Sequence, residues 1–242
     1  DPRTGQMPVA EKHVVDLDEA RKFWSFRPLA KIDPPVVKNK AWSANPIDQF
    51  ILHELEAKKI PAAPEARRAV LIRRLYMGLT GLAPSKAEVQ AFVNDSDPQA
   101  WNKLVDKTLA SPRFGERWAR HWLDLARFAE SNGYAFDKDR KGAFHYRDFV
   151  IKALNEDLPY DQFIRMQLAG DLINDKSQDH LAATGFIAAG PFTTQQTAKE
   201  RERSRYEQLD DLIATVGTAM FGLTVACARC HDHKFDPISS DD

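Results

Sequence analysis

The most specific chemistry in this sequence is carried by two cysteines and the histidine that follows them, in the run Cys227-Ala228-Arg229-Cys230-His231. This is a C-x-x-C-H pattern, the attachment signature of c-type haem. The spacing has a mechanical reason. Two thiols three residues apart can each form a thioether to one of the two haem vinyl groups. The next residue then lies under the ring, where a neutral imidazole reaches the iron. The chain has 2 cysteines and both are in this motif, so a disulfide framework, which needs more cysteines at wider spacing, is excluded. Other readings stay open. A C-x-x-C pair is also a redox disulfide motif, normally in a βαβ setting that is not visible here. Cys227, Cys230, His231 and His233 offer four zinc donors, but they crowd into one short segment, whereas structural zinc sites draw pairs from separated segments. A chance motif with inert buried thiols is a further alternative.

A second axial ligand is harder to find. Only 11 residues follow His231, so the expectation is a distal ligand from upstream, from further chain, from water, or none. The candidates are His121, His145, His233, Met166 and Met220. His121 lies in RFGERWARHWLDLARF beside Trp118, Trp122 and Leu125, aromatic and apolar residues that could line a haem pocket. The alternative is a core histidine bonded to a carbonyl. His145, next to Tyr146 and Arg147, reads equally as a surface residue. His233 is too near His231 to reach the opposite haem face, which leaves a propionate or structural contact. The two methionines fall on apolar faces, where methionine ordinarily packs in the core. Arg117, Arg120, Asp124 and Arg127 share one helix face. They read as a site for haem propionates or, more simply, as an ion-pair network with Asp124 bonded to Arg120 or Arg127. Glu130, Asp137 and Asp139 obey no spacing rule. No G-x-S-x-G, Walker A or H-E-x-x-H pattern occurs.

The elements that must position the motif read as helices. Of 242 residues, 43% are hydrophobic and 29% charged, a composition that folds around a core. The net charge of -1 gives no general attraction to nucleic acid or anionic lipid. No apolar run approaches the roughly 20 residues of a membrane span. The first residue is Asp1 rather than Met, so the expectation is a chain processed or excised from something longer. Residues 1–43 read as an extended lead-in arm, irregular apart from a short helix over DEARKFWSF capped by Asp16 or Asp18. Residues 44–242 read as the helical domain. Asn45-Pro46 opens a helix with Ile47, Phe50, Ile51, Leu55 and Ile60 near the helical period. Further helices are expected over 65–79, from Pro84-Ser85, over 98–110, from Ser111-Pro112 through Phe128, and over 143–156, 160–169 and 178–188. The last is expected from about Lys199 to Val225 with Leu209, Leu212, Ile213, Val216, Met220 and Leu223 in one stripe. Residues 130–142 and 188–198 read as loops. With no sustained period-two alternation, the fold class is all-α.

Several stretches together resemble a known family: NPIDQFILHELEAKKI, LIRRLYMGLTGLAPSKAEVQAFV, SPRFGERWARHWLDLARFAESNGY, YRDFVIKALNEDLPYDQFIRMQLAGDL and LTVACARCHDHKFDPIS. They look like the planctomycete-type cytochrome domain called PSCyt2 or DUF1549, from about Trp24 to Ser239. The resemblance implies covalent haem c on Cys227 and Cys230, with His231 as proximal iron ligand. It also implies that His121, Asp124 and the HDHKFDP segment matter to the domain's architecture. His145 departs from the pattern. In that family the domain commonly sits between a cytochrome c-like domain and a DUF1553 domain in large exported proteins. The start DPRTG and the end DPISSDD fit such a position.

Three functional expectations follow. The first is an electron-transfer module of a periplasmic or cell-surface protein, partnered by those neighbouring domains or a redox enzyme. The second is a haem enzyme with an open sixth iron position. The third is a metal-free structural or carbohydrate-associated scaffold. A chain made without attachment machinery would keep free thiols or a disulfide.

Overall fold

The computed structural model describes residues 16–20, 22–42, 45–134, 137–173 and 177–241. Among the described residues the only β-pairing is an isolated bridge, Ser131 with Asp139, and everything else regular is helical. The all-α expectation holds. The helices are α1 (Leu17–Ala20), α2 (Pro46–Ala57), α3 (Arg68–Leu79), α4 (Lys86–Asn94), α5 (Ala100–Leu109), α6 (Pro112–Leu125), α7 (Phe144–Asn155), α8 (Tyr160–Ala169), α9 (Gln178–Ala183), α10 (Gly185–Ala188) and α11 (Glu200–Val216).

Most starts follow from local side chains that accept the free N–H groups of a first turn. Asp16 takes the Asp18 and Glu19 N–H groups at 3.0 and 3.2 Å. Asn45 takes Asp48 N–H at 3.0 Å, with Pro46 in the first helical position. Ser85 and Glu88 close a reciprocal capping box on α4. Ser111 caps α6 ahead of Pro112.

Two apolar clusters organise the helices. The smaller joins α3, α4 and α5 through Ile72, Phe92 and Ala100. Beside it Tyr76 donates to Glu88 at 2.9 Å. Burial and that carboxylate push the Tyr76 hydroxyl up to about 12. The larger cluster packs α6 on α7 and closes over with α8, α9 and α10 around Phe149, Val150, Phe163 and Phe186. At the α6–α7 crossing a side chain on residue 115 would stand 2.5 Å from the Ile151 carbonyl, so only glycine fits. Gly115 N–H donates to Asn155 at 2.8 Å there. The interior also holds a polar triangle. Tyr146 donates to Gln167 Oε1 at 2.7 Å, and Trp122 Nε1 donates to the same oxygen at 2.8 Å. Gln167 Nε2 in turn donates to the Phe163 carbonyl at 3.1 Å. The Tyr146 hydroxyl, Trp122 Nε1 and Gln167 Nε2 of this buried site each have an acceptor, as buried polar groups require.

The structure corrects several expectations. On α2 the buried residue is Leu52, while Ile47, Phe50 and Ile51 are exposed, as is Ile60 beyond the helix end. A helical period shows that one face is apolar, but burial depends on what packs against it. Helix α6 stops at Leu125, because Arg127 adopts the left-handed conformation with φ 56°. That turn carries Arg127 off the α6 face, and it pairs with Asp211 of α11 rather than Asp124. Residues 178–188 form two short helices that meet at Thr184. The last helix is not continuous to Val225. It ends at Val216, widens into a π-turn over Gly217–Phe221, and is broken by Gly222 at φ 67°. Within its expected stripe, Val216 and Met220 pack on the large cluster, but Leu209 and Ile213 are exposed.

Candidate functional site

The motif is positioned by the way α11 ends. The π-turn brings Leu223 N–H to the Gly217 carbonyl at 3.0 Å. A Cβ on residue 217 would lie 2.8 Å from Val225, so glycine lets the returning chain press against the helix end. A short 3-10 turn then runs over Val225–Arg229. Cys230 N–H and His231 N–H both donate to the Cys227 carbonyl, at 3.3 and 3.4 Å. These bonds close one turn that holds both cysteines and the histidine. Arg229, between the cysteines, reaches back to Asp210 of α11 at 2.8 Å.

Both thiols are free and exposed, and so is the His231 ring. His231 Nδ1 lies 2.8 Å from the carbonyl oxygen of Asp232. A carbonyl only accepts, so Nδ1 is the donor, and in the neutral ring Nε2 is then the nitrogen with the lone pair. This is the tautomer a metal-ligating imidazole needs, oriented by a backbone partner.

His233, two residues on, is the reverse case. It is 7% exposed. Its Nδ1 accepts from the Phe235 and Asp236 N–H groups at 3.3 and 2.8 Å, and its Nε2 lies 3.2 Å from the Thr224 hydroxyl. Since Nδ1 accepts two backbone protons, the Asp236 carboxylate 3.4 Å away is a neighbour and not a bonded partner. Both ring nitrogens are engaged. The loop is closed further by His233 N–H on the Ile238 carbonyl at 2.9 Å and by Ser240 on Asp232 at 3.0 Å. Among the described residues no group of three or more His, Cys, Asp or Glu is placed to hold a metal ion.

The other candidates are dispersed. His121 is exposed on α6, edge-on to Trp118 with ring centroids 5.5 Å apart. It is not a core histidine. It borders a cavity of about 440 Å³ with Arg120, Leu123, Asp124 and Phe128. Trp122 turns the other way, into the core, 4.9 Å from Phe163. Met166 and Met220 pack against the large cluster. His145 is exposed and stacks on Phe144 at 4.0 Å. Glu130 pairs with Arg147, while Asp137 accepts from Ser131 and Gly133, so those carboxylates do not converge. Sequence reasoning missed the Arg229–Asp210 tie and the Thr224 partner of His233. Neither short polar contact leaves a periodic trace.

The PSCyt2 family of proteins of unknown function (DUF1549) matches residues 46–242. The chain belongs to the DUF1549 (PSCyt2) family. No curated protein and no solved structure matches it. The DUF1549 match begins at Pro46, the first residue of α2, and runs through both clusters and the whole motif loop. Within the described residues of this DUF1549 chain no helix is long and apolar enough to cross a membrane.

Proposed function

We propose that this DUF1549 domain carries one c-type haem, joined through Cys227 and Cys230 and ligated by His231, and serves electron transfer in a longer exported protein. The observation that carries the reading is the His231 ring. Its Nδ1 is tied to the Asp232 carbonyl, which makes Nε2 the lone-pair nitrogen of the neutral ring, in the same backbone turn as two free, exposed thiols. The donor set fits the group. The thiols would supply the two covalent links, the imidazole would supply one axial nitrogen, and Arg229 on Asp210 links the turn to α11. When bound, such a haem supplies a reversible one-electron iron couple tuned by ligand and exposure. The Asp232 carbonyl holds the imidazole orientation, and His233 holds the loop below it.

His121 is the proposed distal or pocket residue, and its partner cavity beside Asp124 is the feature in its favour. The arm of residues 1–43 and the helical unit of 44–242 are the proposed division of the chain. Neighbouring cytochrome c-like and DUF1553-like domains, or a redox enzyme, are the proposed partners. A periplasmic or cell-surface location follows from where thioethers are completed.

The test is intact mass and an absorption spectrum of protein exported in a bacterial host with haem-attachment machinery. A mass gain of one haem, lost in Cys227→Ser with Cys230→Ser, is the expected result. An unmodified mass, in a host that loads a control cytochrome, sinks the proposal and leaves the metal-free scaffold. A five-coordinate spectrum unaffected by His121→Ala would instead favour the enzyme with an open sixth position and remove His121 as a ligand.

A further inference from the structure

A cavity that no motif residue lines lies at the start of α7, where it faces α9 and α10. It has a volume of about 620 Å³, within the roughly 300–1,000 Å³ range that holds small organic ligands. Its walls are mostly apolar, from Phe128, the Tyr146 ring and the small residues Ala182 and Ala188. Small residues on α10 and the close approach of Gly185 to Tyr146 leave this space next to a tightly packed core.

The charge around it is one-sided. Arg140 and His145 line the cavity, and no Asp or Glu does. Arg140 is held rigidly. Its Nε donates to Asn132 at 2.8 Å, and its Nη1 donates to the Ala188 and Ala189 carbonyls at 3.1 and 2.9 Å. Its Nη2 donates to the Gly190 carbonyl. Of the five N–H groups of a guanidinium, one on Nη2 remains. These hydrogen-bond partners are neutral; the counter-charge Arg140 feels is Asp137, which stands outside the cavity lining. A second guanidinium, Arg127, is not part of the lining and is paired with Asp211. Its Nε and Nη2 are buried without a partner. Burial lowers both arginines from their ordinary range.

We infer that this cavity binds a small organic anion with an apolar body, a carboxylate of the fatty-acid or aryl type. Its head group sits towards Arg140 and His145, and its body lies against Phe128, Tyr146 and α10. The inference is independent of the haem reading.

Decanoate and decanol share one apolar chain and differ in head-group charge, so they separate charge from greasiness. Each is titrated against the full chain by displacement of anilinonaphthalene sulfonate, with calorimetry for stoichiometry. Saturable one-to-one decanoate binding, about tenfold tighter than decanol, is expected. Ala188 is exposed, so Ala188→Trp can fill the cavity without entering the core. It should abolish decanoate binding with the helical circular dichroism unchanged. His145→Asp, at an exposed position, should weaken decanoate about tenfold and leave decanol alone. This second variant decides the matter if Ala188→Trp fails to fold. Cys227→Ser with Cys230→Ser should bind decanoate as the parent does. Non-saturable binding, equal affinity for decanol, or decanoate affinity unchanged in His145→Asp overturns the inference. Loss of binding in the double cysteine variant would also overturn it.

Discussion

The interior around Gln167 and the loop around His233 are both closed by one buried polar side chain, yet they are built differently. Gln167 is 0% exposed and sits among aromatic rings, with Trp122 4.9 Å and Phe149 5.8 Å from Phe163. Its bonds to Trp122 and Tyr146 add direction to a site that apolar burial already holds. His233 is the only buried residue between 218 and 241 among those described. Its neighbours are exposed, Phe235 to 77%. Here hydrogen bonds fix the shape, and apolar packing contributes little. The first construction gives stability and hides its chemistry. The second presents two thiols and an imidazole to solvent on a backbone that still has one conformation. The proposed haem attachment would call for that second construction, because the reacting groups must be reachable before the group is in place.

Removing packing should separate the two regions most clearly. Phe186 is fully buried in the large cluster. Phe186→Ala should cost about 3–5 kcal/mol, read as a fall in the urea midpoint at constant slope. The rate at which a thiol reagent modifies Cys227 and Cys230 in the folded protein should not change. A parallel rise in that rate would show that the motif is held by the core and break the contrast.

Gln167→Leu keeps the volume but removes the shared acceptor. Trp122 Nε1 still has the Tyr146 oxygen at 3.0 Å, while the Tyr146 proton loses its partner. One orphaned buried donor predicts a loss of about 1–3 kcal/mol. Burial already holds the Tyr146 hydroxyl above the ordinary tyrosine range, so ionisation offers it no escape. A loss near zero in the urea midpoint would mean that the triangle is ornamental and that the aromatic rings alone specify the interior.

Helix positions were largely legible because caps and periods are local. Asn45-Pro46, Ser85 with Glu88, and Ser111-Pro112 each state a helix start in a few residues. What was not legible is non-local. The exposure of Ile47, Phe50 and Ile51 depends on the absence of a covering element, which no period encodes. The left-handed turn at Arg127 is unusual for arginine, and it redirects an ion pair across 84 residues to Asp211. The π-turn after Val216 interrupts a stripe that reads as continuous, because Gly217 and Gly222 act through a close approach and a backbone angle rather than through hydrophobicity. At the motif, C-x-x-C-H was legible as a string. The tautomer of His231 and the role of His233 depend on carbonyls and N–H groups brought together by the fold.

His233→Ala tests the loop directly. Two backbone N–H groups lose their acceptor and Thr224 loses its partner. Water can reach much of this exposed segment, so the global cost should be only about 1 kcal/mol. The local effect should be larger than the global one. Thiol modification should accelerate, and amide exchange should rise at Phe235 and Asp236 with no change at Gln167. Uniform exchange across the chain would join the two regions into one cooperative unit and blunt the contrast.

The smallest expected effect belongs to Arg229 and Asp210, the ion pair that ties the motif turn to α11. The two side chains are 49% and 32% exposed, so water and salt weaken the attraction. Arg229→Ala should change the urea midpoint by no more than about 0.2–1 kcal/mol. That difference should shrink as ionic strength rises. Asp210→Asn should reproduce it, and the double variant should match either single one, since each removes the same contact. The thiol modification rate is the more telling measurement. If the backbone bonds on Cys227 and His233 suffice to hold the turn, Arg229→Ala leaves that rate within twofold of the parent, and the pair serves only to trim the angle at which the motif leaves the helix. A rate that rises as far as it does in His233→Ala would instead make the ion pair an equal support, and the motif would then depend on α11 as closely as the buried triangle depends on its rings.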